Sequence, residues 1–237
     1  MKMKAIFNRE LDEYFNTPIG YVFVGFFVFL TSWIFSYTNV LTQNADLSSL
    51  FGNLTLVFMF LVPILTMRLI SEEKNTKTEQ LLLTSPISVT SIVCGKVFAA
   101  FSVFILALAI SLIYPIIISM FSKPQVSEII AIYIGFFLMG ITYISIGVFI
   151  SSLTENQIIS AVATFAILFV LNLVDMLSSI ITYPIAQKII SYLSVTMRYN
   201  DFTNGLVKID SVIYYLSVTA MFIFLTGYQF EKRRFKK

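Results

Sequence analysis

Six long apolar runs, separated by short polar segments, give this chain its pattern. They cover residues 19–38, 51–70, 97–121, 128–150, 157–178 and 211–230. A helix needs about 20 apolar residues to cross the hydrocarbon core of a bilayer. The pattern therefore predicts an all-α polytopic membrane protein with six transmembrane helices. They form a single transmembrane domain over residues 1–237, with no soluble domain.

The segment before the first run, residues 1–17, has an amphipathic helical pattern. Its charged residues fall on other faces than its apolar residues, which are Ile6, Phe7, Leu11, Tyr14 and Phe15. Acidic residues stand where a signal peptide has its apolar core. We therefore expect an interfacial helix at the membrane surface rather than a cleavable signal peptide.

Residues 71–95, between the second and third runs, form a long polar interruption. A short apolar helix pattern lies inside it, from Gln80 to Leu83. We interpret this pattern as a surface helix held between two spans, where a soluble partner can bind it.

Local signals predict four helix caps. Thr17 and Ser85 each precede a proline, which suits the first helical position because proline lacks the N–H that would be unsatisfied there. Thr76 and Thr154 each stand three residues before Glu or Gln, the spacing of a capping box. We therefore expect helices to begin directly after these four residues.

The composition agrees with a membrane protein and removes several kinds of chemistry. Hydrophobic residues make up 57% of the chain and charged residues 12%, whereas soluble domains average about a quarter charged. The absence of histidine excludes histidine-based catalysis, metal binding and haem ligation. The single cysteine, Cys94, cannot form an internal disulfide. The net charge of +3 is no sign of nucleic-acid binding.

The sequence also lacks motifs for covalent chemistry. The Gly95-Lys96 pair is followed by Val97 and has no glycine five residues earlier, so it does not form a P-loop. Zinc-protease and nucleophile-elbow motifs are absent. We therefore expect no enzymatic activity, no metal site and no directly bound cofactor in this chain.

The basic residues favour one orientation in the membrane. With the N-terminus inside, the outer segments hold only Lys123, Lys188, Arg198 and Lys208, and the cytoplasmic segments hold the other 12 of the 16 basic residues. Because cytoplasmic loops carry an excess of Lys and Arg, this distribution predicts that both termini are cytoplasmic.

Acidic residues inside spans are the usual sign of an ion pathway. Asp175 is the only acid well inside an apolar run, near the outer end of the fifth. It either reaches the interface or forms a hydrogen bond to a neighbouring helix, or it binds a coupling ion.

A motif at residues 68–96 reads RLISEEKNTKTEQLLLTSPISVTSIVCGK. An arginine closes the second span, an acidic pair follows, and T-x-Q-L-L-L-T-x-P leads to a Gly-Lys pair. These features resemble the ABC-2 type permeases, the membrane halves of ATP-driven exporters. The stretches FNTPIGY, SSLTENQI and SVTMRYNDFTNGLVKIDSVIYYLS extend the resemblance over essentially the whole chain and look like the gliding-motility and nitrous-oxide-reductase-maturation branch. Lys77 departs from the pattern, because the family usually has glycine there.

The resemblance implies an ABC-2, type V exporter-like permease fold in the bacterial cytoplasmic membrane. In that family the loop between spans two and three carries a coupling helix, which docks on a separate ATPase dimer that binds ATP and Mg²⁺. The site residues so implied are Glu72, Glu73, Thr78, Glu79, Gln80, Leu81, Leu82, Leu83 and Pro86. The leucines would be packing anchors, with Glu79 and Gln80 at the rim. Alternatively, the leucines lie on lipid. The acidic pair either contacts the partner or Arg68, or it forms a solvated turn.

The resemblance also implies a half-unit that works with a second permease copy or a sister permease. Interfaces within membranes favour small residues, so we place the contact at span five, on Ser160, Ala163 and Ala166. Span one, with Phe23, Phe26, Phe27 and Trp33, lines the path or faces lipid. The outer loop 179–210 acts as an extracellular gate or as a passive cap.

Two further hypotheses about the function stay open. One is a secondary transporter or channel that needs no ATPase, against which stand the scarcity of intramembrane acids and the lack of inverted-repeat hydropathy. The other is a membrane anchor that transduces ATPase motion without moving a substrate.

Overall fold

A computed structural model describes residues 2–85, 87–122, 124–178 and 194–234. Its helices in chain order are α1 (Lys2–Asn16), α2 (Pro18–Phe35), α3 (Ser48–Thr66), α4 (Ser71–Asn75), α5 (Glu79–Thr84), α6 (Val89–Ser111), α7 (Ile113–Ser119), α8 (Val126–Leu153), α9 (Gln157–Ser178), α10 (Val195–Thr203) and α11 (Ile209–Arg234). A short π-helix, Ser36–Val40, extends α2. Every regular element in these ranges is helical.

Six segments are long and apolar enough to cross a bilayer, which confirms the six predicted spans. They are Pro18–Val40, Ser48–Asn75, Val89–Ser119, Val126–Leu153, Gln157–Val174 and Ile209–Arg234. The third begins eight residues earlier than predicted, at Val89 instead of residue 97. The reason is Ser88, whose hydroxyl accepts a hydrogen bond from the Ser91 N–H and caps α6.

The second and fourth spans form the centre of the bundle. Their most apolar windows are 67% and 78% buried, whereas those of spans one, five and six are at most 28% buried. Helix α8 packs against α3, α6, α9, α10 and α11, and α3 also packs against α2. Gly147 of α8 allows this close packing because it has no side chain. A Cβ at that position would lie 2.3 Å from the Thr66 hydroxyl.

Aromatic side chains fill the space between spans one, two and four. Phe58 contacts Phe23, Phe27 and Phe136 with ring centroids 5.3 to 6.4 Å apart. Span one therefore divides its aromatic residues, because Phe23 and Phe27 are fully buried while Phe26 and Trp33 are exposed.

Helix α10 covers one end of α8 from the predicted outer loop. Val195, Tyr199 and Phe202 are buried there, and a Cβ on Gly135 would lie 2.5 Å from Phe202. The chain then turns at Gly205, whose φ of 75° suits glycine. Residues 179–193 of the loop and the Asp175 side chain lie outside the described residues.

Three of the four predicted caps are wrong. Thr17 is the N-cap of α2, although its hydroxyl donates to the Glu13 carbonyl at 2.8 Å instead of capping the helix. Thr76, Ser85 and Thr154 each end a helix, namely α4, α5 and α8. The helices that follow are instead preceded by Thr78, Ser88 and Asn156.

The causes of these errors are local backbone conformations. Lys77 has a φ of 59°, so the chain turns there and α5 begins only after Thr78. This left-handed conformation costs a residue with a Cβ about 1–2 kcal/mol, which agrees with glycine being usual at that position. Ser85 is extended with ψ of 150°, the conformation favoured before proline. Helix α9 is capped by Asn156, whose side-chain oxygen accepts from the Ile158 N–H at 2.8 Å.

Candidate functional site

Five segments meet at one end of the bundle and enclose a cavity of ≈ 440 Å³. They are α1, α4, α5, the start of α6 and the residues after α3, and Ile19 at the start of α2 adds a sixth contribution. The lining is Arg9, Glu10, Glu13, Tyr14, Thr17, Ile19, Arg68, Leu69, Glu72, Glu73, Thr76, Thr78, Leu81, Leu82 and Lys96. The cavity thus combines the predicted interfacial helix with the predicted surface helix.

Helix α1 lies on α6 through a stripe of three buried residues. Ile6, Glu10 and Tyr14 recur every four residues, so they share one face of the helix. Gly95 of α6 lies beneath this stripe, and a Cβ on it would be 2.9 Å from Ile6 Cγ2. The glycine therefore lets the two helices approach closely.

Lys96, the next residue, is the electrostatic centre of the site. Its side chain is 1% exposed, in the second turn of the helix. Its ammonium donates to Glu10 Oε1 and to the Leu69 carbonyl, both at 2.9 Å, and lies 3.0 Å from Glu73 Oε1. A buried ammonium is tolerated only with such partners, so Lys96 joins α1, α4 and α6.

Arg9 extends this network at the surface. Its guanidinium donates to Glu73 at 2.7 Å and also to Glu10. Two carboxylates are thus shared between two cations. The arrangement fixes α4 relative to α1 by charge-assisted hydrogen bonds, which are stronger than neutral ones.

A second group of bonds connects the chain around the end of α3 with α4 and with α1. Arg68 donates two hydrogen bonds to Glu72, one at 2.7 Å and a shorter one through Nε. The Tyr14 hydroxyl donates to the Leu65 carbonyl at 2.8 Å. Burial raises the pKa of Tyr14 well above its ordinary value, so the hydroxyl stays protonated and available as a donor. The contact of Glu72 with Arg68, one of the roles considered for the acidic pair, is therefore present.

Helix α4 and the last helix, α11, are also bonded to the end of α8. The Lys74 ammonium donates to the carbonyls of Ser152 and Thr154, and Arg233 of α11 donates to Ser152 as well. Cations at the last carbonyls of a helix are favourable, because the helix dipole is negative there. The Ser151 hydroxyl accepts from the N–H groups at residues 70 and 71, at 3.2 and 3.1 Å.

Glu79 does not lie at an exposed rim, contrary to the sequence-based expectation. Its side chain is 11% exposed and accepts from Arg233 Nη1 at 3.0 Å. The last helix, α11, therefore contacts α5 at the same end of the bundle as α1. Because Glu73 of α4 is bonded to α1, the two short helices α4 and α5 together link the first and last described helices.

The remaining predicted partner-binding residues differ in exposure. Gln80 and Leu81 point outward, and Leu81 is 73% exposed. Leu82 is half-buried against the core, and Thr78 is the residue directly before α5. Leu83 belongs to α5, but its side chain, like the whole of Pro86, lies outside the described residues.

The predicted permease contact on span five needs a correction. Ser160 is fully buried inside its own bundle and Ala163 packs against the core, so only Ala166 is exposed. Helix α9 packs against spans two and four of the same chain. Its outward face instead carries large apolar side chains such as Ile158 and Val162.

The roles of three residues of the site, Glu10, Lys96 and Arg233, were not predicted from the sequence. A signal for Glu10 was present, because it interrupts the apolar stripe between Ile6 and Tyr14. A buried acid at such a position needs a cation. Within the described ranges, no group of three or more potential metal ligands lies together.

Comparison with known proteins agrees with this architecture. A family model described as "ABC-2 family transporter protein" matches residues 5–234. No curated protein matches the chain.

Proposed function

This chain belongs to the ABC-2 family of transporter proteins, and we propose that it is a permease subunit driven by a separate ATPase to export a substrate. It is a multi-pass membrane protein and the permease of an ABC transporter. ATP and Mg²⁺ bind on the ATPase dimer in this proposal, and both termini of the permease lie in the cytoplasm of a bacterium.

The observation that carries the proposal is the exposed end of α5. Leu81 is a large apolar side chain in a six-residue helix that lies outside the six spans, and it is 73% exposed. Interface hot spots are commonly apolar anchors surrounded by polar groups. Gln80 and Thr84 supply such exposed polar neighbours. Helix α5 thus has the chemistry of a docking element for a soluble subunit.

Hydrogen bonds and ion pairs of α5 and of the preceding helix, α4, connect this surface region to the spans. Glu79 holds α11 through Arg233, and Lys74 holds the end of α8. Glu73 holds α1 and α6 through Lys96. In this proposal, movement of α5 on closure of the ATPase dimer is transmitted through α5 and the adjacent α4 to spans three, four and six.

Large exposed apolar faces support assembly with a second permease in the membrane. Spans one, five and six leave most of their apolar windows unburied. A second copy or a sister permease covers part of these faces in this proposal, and lipid covers the rest. We infer that the substrate path lies between the two permeases.

Affinity purification of the tagged protein from native membranes in mild detergent tests the proposal. We expect a P-loop ATPase to be recovered in stoichiometric amount and ATP hydrolysis in the eluate. Leu81→Asp should lose the ATPase, because it places a charge at a desolvated contact. Leu206→Asp is the matched control, since Leu206 is 55% exposed and follows α10 at the opposite end of the bundle. Recovery of a homogeneous oligomer without any ATPase would refute the proposal and favour a secondary transporter or channel.

A further inference from the structure

The wall of the ≈ 440 Å³ cavity contains one more carboxylate than cation. The cations are Arg9, Arg68 and Lys96, and the carboxylates are Glu10, Glu13, Glu72 and Glu73. All three cations pair with carboxylates of the same wall. Glu13 is left, and it forms no ion pair within the described ranges. The cavity therefore has an uncompensated negative charge.

The position of Glu13 makes this charge available to a ligand. Glu13 precedes the buried Tyr14 on α1, and its side chain is exposed beside the cavity. Partial burial raises the pKa of Glu13, and the nearby Glu10 carboxylate raises that pKa further. A cation bound at this carboxylate would favour its charged form and so oppose both effects.

The rest of the wall suits an apolar stem. Ile19, Leu69, Leu81 and Leu82 line the cavity together with the Tyr14 ring. Lysine and arginine bury their methylene groups against such surfaces while their charged heads reach a polar partner. Because Leu81 is largely exposed, the cavity continues onto the exposed surface of α5.

We infer that this cavity receives a basic side chain of the ATPase subunit, with its charged head on Glu13 and its stem on Leu81 and Leu82. The inference rests on the proposed function and specifies the chemistry of the partner surface. A phospholipid headgroup fits less well, because its phosphate would add negative charge to a cavity that already has an excess. A basic side chain brings the positive charge alone.

The experiment measures binding of the ATPase that co-purifies with the permease, prepared separately, to the permease in lipid nanodiscs. Glu13→Gln removes the charge and keeps the shape. Asp12→Asn is the matched control, because Asp12 is exposed on the same helix and does not line the cavity. We expect Glu13→Gln to weaken binding roughly tenfold at low salt and to reduce the salt dependence of binding, while Asp12→Asn binds like the wild type.

Charge reversal gives an independent readout. Glu13→Lys should lose binding, and reversal of one basic residue on the ATPase to Glu should restore it. The thermal stability of Glu13→Gln should not fall below that of the wild type, since Glu13 has no ion pair to lose and its charge is repelled by Glu10. Equal affinities of Glu13→Gln and Asp12→Asn would overturn the inference while leaving the proposed function intact. Failure of the wild-type permease to bind the ATPase would overturn both.

Discussion

Replacing Lys96 by methionine removes the buried cation that joins α1, α4 and α6 and keeps a side chain of similar length. The ammonium lies 2.9 Å from Glu10 and 3.0 Å from Glu73. At an effective dielectric constant of about 20, each attraction amounts to about 6 kcal/mol before desolvation is subtracted. The net effect is smaller, because breaking a buried ion pair from one side typically costs about 3–5 kcal/mol.

Arg9 determines where in this range the cost falls. It already donates to both Glu10 and Glu73, so part of the negative charge stays compensated after Lys96→Met. We therefore expect a loss of about 3 kcal/mol. For a chain of this size, such a loss lowers the melting temperature by about 6–12 °C.

Thermal unfolding of the detergent-solubilised protein measures this effect. Lys4→Met is the control, because Lys4 is exposed on α1 and has no ion-pair partner among the described residues. The double variant Lys96→Met with Glu10→Gln should recover part of the loss, since it no longer leaves the Glu10 carboxylate buried without its partner. If Lys96→Met melts at the temperature of Lys4→Met, the network contributes nothing to stability and the reasoning is refuted.

Two further predictions concern helix contact and orientation. Gly95→Ala should separate α1 from α6 and lower stability by about 1–3 kcal/mol, because its Cβ would lie 2.9 Å from Ile6 Cγ2. Gly25→Ala, where a Cβ meets nothing within 4 Å, should be neutral or stabilising in the same melting assay. In a variant without the native cysteine, Gln80→Cys should react with an impermeant maleimide only after the cells are opened. Asn204→Cys should react in intact cells, and the reverse pattern would contradict the cytoplasmic assignment of α5.

The predictions from sequence that were confirmed concern which segments are helical, whereas those that were wrong concern helix ends and side-chain partners. The six spans and the short helix between the second and third depend on hydropathy and periodicity, which adjacent residues determine. The cap predictions were also local, yet Thr76 and Thr154 ended helices because Thr78 and Asn156 occupied the starts. Several capping residues stand close together in each loop, so backbone conformation decides among them. The left-handed φ of Lys77 is one example, because the chain turns there and α5 begins only after Thr78.

The sequence by itself determined that this protein is helical, that it spans a membrane six times and that a short helix lies between two spans. The physical reason is that a backbone in lipid must satisfy its hydrogen bonds within each segment, so apolar length suffices to predict a helix. Only the tertiary structure decided that Glu10 pairs with Lys96 across 86 residues. It likewise decided that Glu79 is held by Arg233 and that Ser160 faces its own bundle. These contacts depend on how helices rotate and pack against each other, and no pattern within a single helix specifies its partner.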